Sequence, residues 1–267
     1  MPFADLTSSP LIQLVSLHGR GVVVTGAGQG LGKAIAARAA EAGASVLLVE
    51  RDAARAESAA TDLRRRGSPD AVHVAVADVC DSTAVDAVFE RARELLPSLQ
   101  GLVNNVGVFP RSDAVEMSDD EWHHVIQTDL TSAFWCARAF ARAADPDLGG
   151  SIVMNGSIES VRGRPGLAHY TAAKFGMVGM AQTLAIELGA RNIRVNTLAP
   201  GLVETESTSG SDVVRDPQRR ARWGAVLPAG RMAVPDDVAR AALFFLSDLS
   251  GYVTGTTLLV DGGERAG

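Results

Sequence analysis

Cysteine and histidine are scarce in this chain, and neither residue type forms a pattern that binds a metal. Cys80 and Cys136 are the two cysteines among 267 residues, and they lack the spacing of a zinc site. The five histidines form no H-E-x-x-H motif, and His123 and His124 are helix neighbours whose side chains point apart. We therefore expect two buried thiols and no metal ion.

An excess of basic residues and a long apolar run are also absent. The formal net charge is −6, with charges of both signs spread along the chain. No basic stripe with interleaved aromatic residues suggests a nucleic-acid partner. The apolar segment at residues 11–17 is too short to span a bilayer, and no basic start of a signal peptide precedes it. These absences favour a soluble, cytoplasmic protein with no nucleic-acid or membrane partner.

The chain does contain a regular alternation of short apolar runs and helical segments. Seven strands are predicted at residues 22–25, 46–49, 72–76, 102–104, 151–154, 194–198 and 257–260. Parallel sheets require such alternation, and no linker interrupts it. We predict an α/β fold in which residues 1–267 form one domain, a Rossmann-type doubly wound sheet of seven parallel strands flanked by helices. Residues 1–18 are an N-terminal extension, and residues 204–230, rich in Ser, Gly and charges, are a mobile substrate-binding lid.

A glycine-rich loop joins the first predicted strand to a helix at residues 33–42. From Gly26 to Gly32 the sequence is G-A-G-Q-G-L-G. Glycines there permit a tight turn, and backbone N–H groups at the start of the helix can hold a pyrophosphate. An ordinary strand-to-helix turn is the alternative, which the placement between strand and helix disfavours. We therefore expect a dinucleotide at this loop.

The second predicted strand ends in Glu50, about twenty residues beyond the loop. A carboxylate there can accept hydrogen bonds from both hydroxyls of an adenosine ribose, and it repels a 2′-phosphate. The adjacent Arg51 favours the opposite choice, since a guanidinium can hold that phosphate. Gln29 in the loop adds no positive charge, so NAD(H) is favoured over NADP(H).

Three polar residues form a candidate catalytic set. Tyr170 and Lys174 are four residues apart, and Ser157 lies thirteen residues before the tyrosine. Positions i and i+4 share a helix face, so the ammonium can lie close to the phenol and favour its ionised form. A free phenol titrates near pH ~10, and a cation that lowers this value makes it a usable acid and base. Taken alone, the pair is better explained as chance on a solvated helix, and the rest of the chain decides against that.

Together these motifs resemble the classical, single-domain short-chain dehydrogenases/reductases over nearly the whole chain. The matching residues are Thr25, Gly26, Gly30 and Gly32 of the glycine motif, Asn104, Asn105, Val106 and Gly107 of the N-N-A-G motif, and Ser157, Tyr170 and Lys174. The resemblance implies hydride transfer between a nicotinamide cofactor and a secondary alcohol or ketone. It assigns to the cofactor Gly26, Gly28, Gln29, Gly30, Leu31, Glu50, Arg51, Asp78, Val79, Asn104, Gly107, Tyr170, Lys174, Pro200, Gly201, Val203 and Thr205.

One position departs from the family pattern, within a helix predicted over residues 121–144. Asp129 stands where the family usually has an asparagine that stabilises a helix kink and whose main-chain carbonyl holds a water in the proton path. A carboxylate accepts hydrogen bonds but donates none unless it is protonated. Either the backbone carbonyl suffices and the side chain is remote from Lys174, or the carboxylate lies near Lys174 through water and alters the relay. Asp129 is counted among the catalytic candidates.

The substrate pocket is the part that the sequence determines least. The resemblance implies that Val108, Phe109, Glu159, His169, Leu202 and Trp223 line it. Glu159, two residues beyond the catalytic serine, could bind a hydroxyl or amine of a polar substrate. Exposure to solvent, or pairing with Arg162 or Arg164, is the alternative and is slightly favoured.

Two alternative functions and one assembly state follow. The chain could reduce an acyl-carrier-bound 3-ketone with NADPH, or, on the strength of Asp129 alone, it could be a catalytically silent dinucleotide-binding protein. The helix predicted at residues 236–249 is apolar on more than one face. With the strand at residues 257–260 it resembles the surface through which relatives form tetramers. We expect a homotetramer that acts on a small-molecule alcohol or ketone.

Overall fold

The computed structural model describes residues 5–66, 69–206, 208 and 216–266, and its centre is one parallel sheet. The strands are β1 Gly21–Thr25, β2 Ser45–Glu50, β3 Val72–Val76, β4 Leu99–Asn104, β5 Gly150–Asn155, β6 Ile193–Pro200 and β7 Thr257–Val260. They lie in the order β3-β2-β1-β4-β5-β6-β7, and every pairing is parallel. The predicted doubly wound sheet of seven strands is confirmed.

Helices cover both faces of the sheet. They are α1 Leu11–Val15, α2 Gly30–Glu41, α3 Ala53–Arg66, α4 Ser82–Leu95, α5 Asp119–Ile126, α6 Ser132–Ala143, α7 Ala168–Gly189, α8 Pro217–Val226 and α9 Pro235–Leu246. Helices α4, α6 and α7 pack against one face, and α2, α3 and α9 pack against the other. This is the layering that right-handed crossovers on alternate sides of a parallel sheet produce.

Side chains that alternate along the strands divide the apolar core into two layers. In β1, Val23 belongs to the layer beneath α4, α6 and α7, whereas Val22 and Val24 belong to the layer beneath α2, α3 and α9. In β2, Leu47 and Leu48 divide in the same way. Because both faces are covered, β1 and β2 contain unbroken apolar runs rather than alternating polar and apolar residues.

The strand order reverses beside β1, and this positions the site. The chain runs outward from β1 to β2 and β3, and then returns to β4 on the other side of β1. In open α/β sheets a crevice forms at the carboxyl ends of the strands at such a reversal. Loops that follow β1, β4 and β5 therefore meet at one edge of the sheet.

The helix predicted at residues 121–144 is interrupted in the middle. Helix α5 ends at Ile126, α6 begins at Ser132, and a π-helical turn at Gln127–Thr131 separates them. Such turns place one additional residue in a helix and often occur at functional sites. The turn carries Asp129, which is fully buried and accepts a hydrogen bond from the backbone N of Val108 at 2.8 Å.

The two segments expected outside the main domain differ in how they pack. In the N-terminal extension, helix α1 has no buried residue, but Leu17 is fully buried and its N donates to the Ala42 carbonyl at 2.8 Å. Of the lid predicted at residues 204–230, residues 207 and 209–215 lie outside the described part, and the remainder includes α8. None of the helices in the described part is long and apolar enough to cross a membrane.

Candidate active site

The three predicted catalytic residues lie together at the cleft. Tyr170 and Lys174 are one turn apart on α7, and the Lys174 Nζ is 5.3 Å from the centre of the Tyr170 ring. Ser157 follows β5 and caps a short 3-10 helix at Ile158–Ser160. All three side chains line the same cavity. The i, i+4 spacing and a strand end thus bring a phenol, an ammonium and a hydroxyl to one point.

Asp129 contacts Lys174 directly rather than through water. Its Oδ2 lies 3.2 Å from Lys174 Nζ, and both side chains are almost entirely buried. Nζ also donates to the Asn155 carbonyl at 3.3 Å. The alternative in which the Asp129 side chain is remote from the lysine is therefore wrong, and so is the expected water between the two groups. An ion pair stands at this position of the site.

Burial and charge set the pKa values of this group. Burial raises the pKa of Tyr170 above its ordinary value, and the opposing effect of the Lys174 charge does not cancel it. The charges of Asp129 and Glu159 add to the rise. Lys174 by itself does make the phenol more acidic, as expected. The net pKa of Tyr170 is nevertheless raised, because burial has the larger effect.

The ion pair has pKa shifts of its own. Burial acts to lower the pKa of Lys174, but the charges of Asp129 and Tyr170 outweigh it, so the net shift is upward. Burial likewise raises the pKa of Asp129, against the opposing effect of Lys174. The lysine therefore stays an ammonium beside the phenol at neutral pH.

The glycine loop forms the floor of the cleft at the start of α2. Gly26, Gln29, Gly30 and Leu31 line the cavity, and Gly26 and Gly30 have φ angles of +61° and +55°. These φ values favour glycine. A Cβ atom on Gly32 would lie 2.3 Å from the Gly26 carbonyl oxygen, so that position also requires glycine. The backbone of the loop is thereby open to a phosphate group at the helix N-terminus.

The adenosine end of the cleft carries the acidic residue that the sequence predicts. Glu50 lines the cavity with Arg51, Asp78 and Val79, and it is 8% exposed. Its Oε2 accepts a hydrogen bond from the backbone N of Gly28 at 3.2 Å. A Cβ atom on Gly28 would lie 2.8 Å from that oxygen. Gly28 thus makes room for Glu50. Gly28 was expected to contact the cofactor, but it does not line the cavity.

The opposite end of the cleft is formed by the loops after β4 and β6. Gly107, Pro200, Gly201, Val203 and Thr205 line it as predicted. A Cβ atom on Gly107 would lie 2.7 Å from Asp129 Oδ2, so glycine leaves space for the ion pair. The cavity volume of ≈ 440 Å³ is within the range of small-molecule and cofactor sites. The residues present therefore fit an extended dinucleotide with a second molecule at the catalytic end.

Known proteins resemble this chain over nearly their whole length. Residues 26–264 match the family described as enoyl-(acyl carrier protein) reductase. The chain is 37% identical over 249 residues to the 3-oxoacyl-[acyl-carrier-protein] reductase FabG of Chlamydia muridarum, covering 92% of this chain and 98% of that protein. It is 35% identical over 249 residues to FabG of Escherichia coli K12, covering 93% and 98%. The chain belongs to the short-chain dehydrogenase/reductase family.

A solved structure extends the likeness to three dimensions. A gluconate 5-dehydrogenase from Burkholderia cenocepacia, in complex with NADP and tartrate, aligns with a TM-score of 0.89 at 31% identity. The alignment covers 97% of this chain and 100% of that chain. As a short-chain dehydrogenase/reductase, the protein is an NAD(P)-dependent oxidoreductase that acts on CH–OH and keto groups. The family predicted from the sequence motifs is confirmed.

Besides Gly28, three other predicted site residues of this dehydrogenase/reductase do not line the cavity. Asn104 faces the core, where its Nδ2 donates to the Ala133 carbonyl at 3.0 Å, and it does not line the cavity. Asn105 does line it, and its Nδ2 donates to the carbonyls of Thr25 and Gly26. Successive residues of a strand point to opposite faces, so only one of two adjacent asparagines can reach the cleft.

The other two residues, His169 and Trp223, were predicted to line the substrate pocket. His169 is fully buried and accepts a hydrogen bond at Nδ1 from the Tyr170 backbone N, so it does not line the cavity. Trp223 lies on α8 and does not line the cavity either. Cys80 also differs from expectation, because it is half-buried at the cavity wall, whereas Cys136 is buried.

The remaining predicted substrate residues do border the catalytic end. Val108, Phe109, Leu202 and Glu159 line the cavity, and the Phe109 ring stands edge-on to Tyr170 with centroids 6.1 Å apart. Arg111 lines it as well, and no sequence signal singled it out. This end of the cleft therefore combines apolar walls with charged side chains.

Glu159 pairs with arginine, as one of the alternatives for it held, and it is buried rather than exposed to solvent. Its carboxylate is buried at the cavity wall, where Oε1 accepts from Arg164 at 3.3 Å and lies 4.0 Å from Arg162. Its Oε2 accepts the Ser157 hydroxyl at 2.5 Å. The carboxylate is thus paired with arginine and is also in contact with the catalytic serine.

Proposed function

We propose that this dehydrogenase/reductase transfers a hydride reversibly between NAD(H) and the carbinol carbon of a secondary alcohol or ketone. The observation that carries the proposal is the convergence of Ser157, Tyr170 and Lys174 at one end of a cleft whose other end holds the glycine loop and Glu50. The cofactor, when bound, supplies the hydride acceptor of the oxidation or the hydride donor of the reduction. A secondary alcohol that loses one hydride and one proton becomes a ketone.

The side chains of this protein carry out the proton transfer of the reaction. In the oxidising direction Tyr170, as phenolate, removes the hydroxyl proton, and Ser157 donates a hydrogen bond to the oxygen that becomes the carbonyl. Lys174 stabilises the phenolate by its charge and would bind a ribose hydroxyl of the cofactor. In the reducing direction Tyr170 returns the proton. Asp129 keeps Lys174 charged through the direct ion pair.

The cofactor is proposed to extend from the glycine loop to the loop after β6. Gly26, Gln29, Gly30 and Leu31 would hold the pyrophosphate, Asp78 and Val79 the adenine, and Gly107, Pro200, Gly201, Val203 and Thr205 the nicotinamide side. Phe109, Leu202 and Glu159 would face the substrate.

NAD(H) is the proposed cofactor because of Glu50. Its carboxylate is held at the cleft wall by the Gly28 and Asp52 backbone N–H groups, each 3.2 Å from one of its oxygens. In this position it can accept from the ribose hydroxyls and repel a 2′-phosphate. Arg51, which also lines the cleft, supports the alternative of NADP(H).

A 3-oxoacyl-carrier ketoreductase using NADPH is the second candidate. It is supported by the FabG relatives of Chlamydia muridarum and Escherichia coli, and the Burkholderia cenocepacia structure contains NADP. The catalytically silent alternative is set aside, because the family is one of oxidoreductases and all three catalytic side chains are present.

Turnover with both cofactors tests these proposals. Secondary alcohols are assayed with NAD⁺ and NADP⁺, and a 3-ketoacyl thioester with NADH and NADPH. We expect faster turnover of the alcohols, with NAD⁺ preferred over NADP⁺. Replacing Glu50 by Ala is expected to weaken NAD⁺ binding roughly tenfold, since a hydrogen-bonding carboxylate is lost. The same variant should discriminate less against NADP⁺, because Arg51 then acts without an opposing charge.

Fluorescence titration of NADH and NADPH measures both affinities. Glu57→Ala, an exposed carboxylate on α3 that pairs with Arg64, is the matched control. A wild-type protein that binds NADPH more tightly than NADH would mean that Arg51 governs the choice of cofactor.

We also propose that the protein is a homotetramer. Helix α9 buries Phe245 and Leu246, and beside it Leu249, Leu258 and Leu259 remain 39%, 38% and 40% exposed. Exposed apolar side chains beside a helix and on both faces of an edge strand are typical of an interface. Light scattering at micromolar concentration is expected to give four times the chain mass, and a monomer mass would contradict the proposal.

A further inference from the structure

Glu159 accepts the only proton of the catalytic serine. The Ser157 Oγ lies 2.5 Å from Glu159 Oε2. The Glu159 backbone N lies 3.3 Å from the same Oγ, and this N–H group can only act as a donor. The serine hydroxyl therefore donates to the carboxylate and accepts from the backbone. The Glu159 side chain is 6% exposed.

Catalysis removes this hydrogen bond. A serine hydroxyl has one proton, and the reacting oxygen of the substrate requires it during hydride transfer. When Ser157 turns to the substrate, Glu159 Oε2 loses its donor, while Oε1 keeps Arg164 at 3.3 Å. A buried carboxylate oxygen without a donor is unfavourable. A substrate that brings its own donor to Oε2 removes that cost.

We propose that Glu159 binds a hydroxyl on the carbon next to the reacting carbon, so that the preferred substrates are vicinal diols and polyols, with α-hydroxy ketones as their oxidised forms. The inference rests on the function proposed above, since it requires Ser157 to bind the reacting oxygen. Oε2 is then within two hydrogen-bond lengths, roughly 5.6 Å, of that oxygen. A hydroxyl on the neighbouring carbon spans this gap.

The charges around Glu159 favour a hydroxyl over an ammonium as the donor. Arg164 and Arg162 lie 3.3 and 4.0 Å from Oε1 and offset the negative charge. Arg162 also pairs with Glu264, whose carboxylate lines the same cavity. A neutral hydroxyl satisfies Oε2 without adding a further positive charge. A 3-ketoacyl chain carries no hydroxyl on the carbons beside its ketone, so it leaves Oε2 without a donor.

A matched pair of substrates tests the inference. We expect kcat/KM with NAD⁺ to be roughly 10- to 100-fold higher for butane-2,3-diol than for butan-2-ol. This is the factor expected when the second hydroxyl of the diol gives the buried Glu159 Oε2 a hydrogen-bond donor that butan-2-ol lacks. In Glu159→Ala this ratio should fall close to one. Glu159→Gln keeps a carbonyl acceptor and should give an intermediate ratio. Glu264→Gln, which alters the neighbouring carboxylate without touching Ser157, should keep the wild-type ratio.

The possible contradictions are distinct. A wild-type ratio near one overturns this inference and leaves the proposed function standing, whereas no turnover of either alcohol overturns both. A Glu159→Ala variant that keeps the wild-type ratio assigns the preference to another residue and overturns the role of Glu159. A higher kcat/KM for 3-aminobutan-2-ol than for the diol overturns the hydroxyl as the recognised group. Because the first comparison uses the unaltered protein, it does not depend on the folding of any variant.

Discussion

Replacing Tyr170 by Phe is expected to reduce kcat by roughly three orders of magnitude, with little change in cofactor affinity. The phenol is the group that exchanges a proton with the substrate, and general acid–base catalysis typically contributes ~10²–10⁴-fold. Phe removes one oxygen and keeps the ring that packs edge-on against Phe109. The fold and the cleft should therefore be unaffected.

The chain offers a matched control for this substitution. Its other tyrosine, Tyr252, is 94% exposed and does not line the cleft, so Tyr252→Phe should turn over at the wild-type rate. Steady-state rates and NADH fluorescence titration measure the two effects separately. Turnover by Tyr170→Phe within a few-fold of wild type would remove the basis of the proposed mechanism.

Replacing Asp129 by Asn is expected to move one limb of the oxidation pH profile toward lower pH. This is the limb set by Tyr170 ionisation, along which kcat/KM rises with pH. The Asp129 charge raises the pKa of both Tyr170 and Lys174, and Asn removes that charge. Tyr170 and Lys174 titrate as a coupled pair, so the first proton lost from the pair leaves more readily, whichever group releases it. Because oxidation requires that proton vacancy, kcat/KM at neutral pH should rise roughly three- to tenfold.

This substitution changes charge with little change in shape. Asn keeps an oxygen that can accept from the Val108 backbone N, so the contact that holds the π turn survives. Asp78→Asn is the same change at the end of the cleft that holds Glu50. It should leave the midpoint pH of this limb unchanged. The measurement is kcat/KM against pH for the three proteins. Superimposable profiles for wild type and Asp129→Asn, or a limb at higher pH, would contradict the electrostatic role of Asp129.

The strands and motifs were predictable from sequence because their signals are local. Apolar runs bounded by turns gave all seven strands within a few residues, since a strand buried on both faces needs apolar side chains at every position. The helix at residues 121–144 was predicted without its π turn. Within that turn Asp129 accepts a hydrogen bond from a backbone group 21 residues away, a contact that no local pattern contains.

The catalytic residues were likewise predictable, but not their environment. The spacing of Tyr170 and Lys174 predicts that they meet, because helix geometry alone places them on one face. It does not predict that the pKa of Tyr170 is raised, because burial and the charge of Asp129 come from other elements.

The sequence by itself therefore determined the fold class, the glycine loop between β1 and α2, and the meeting of Tyr170 with Lys174, all of which depend on periodicity and short spacings. Tertiary structure decided which of Asn104 and Asn105 faces the cleft and that His169 is buried. It also decided that the Ser157 proton rests on Glu159. These outcomes depend on which face of an element is covered and on how closely segments distant in sequence approach, and the chain specifies both only when it is folded.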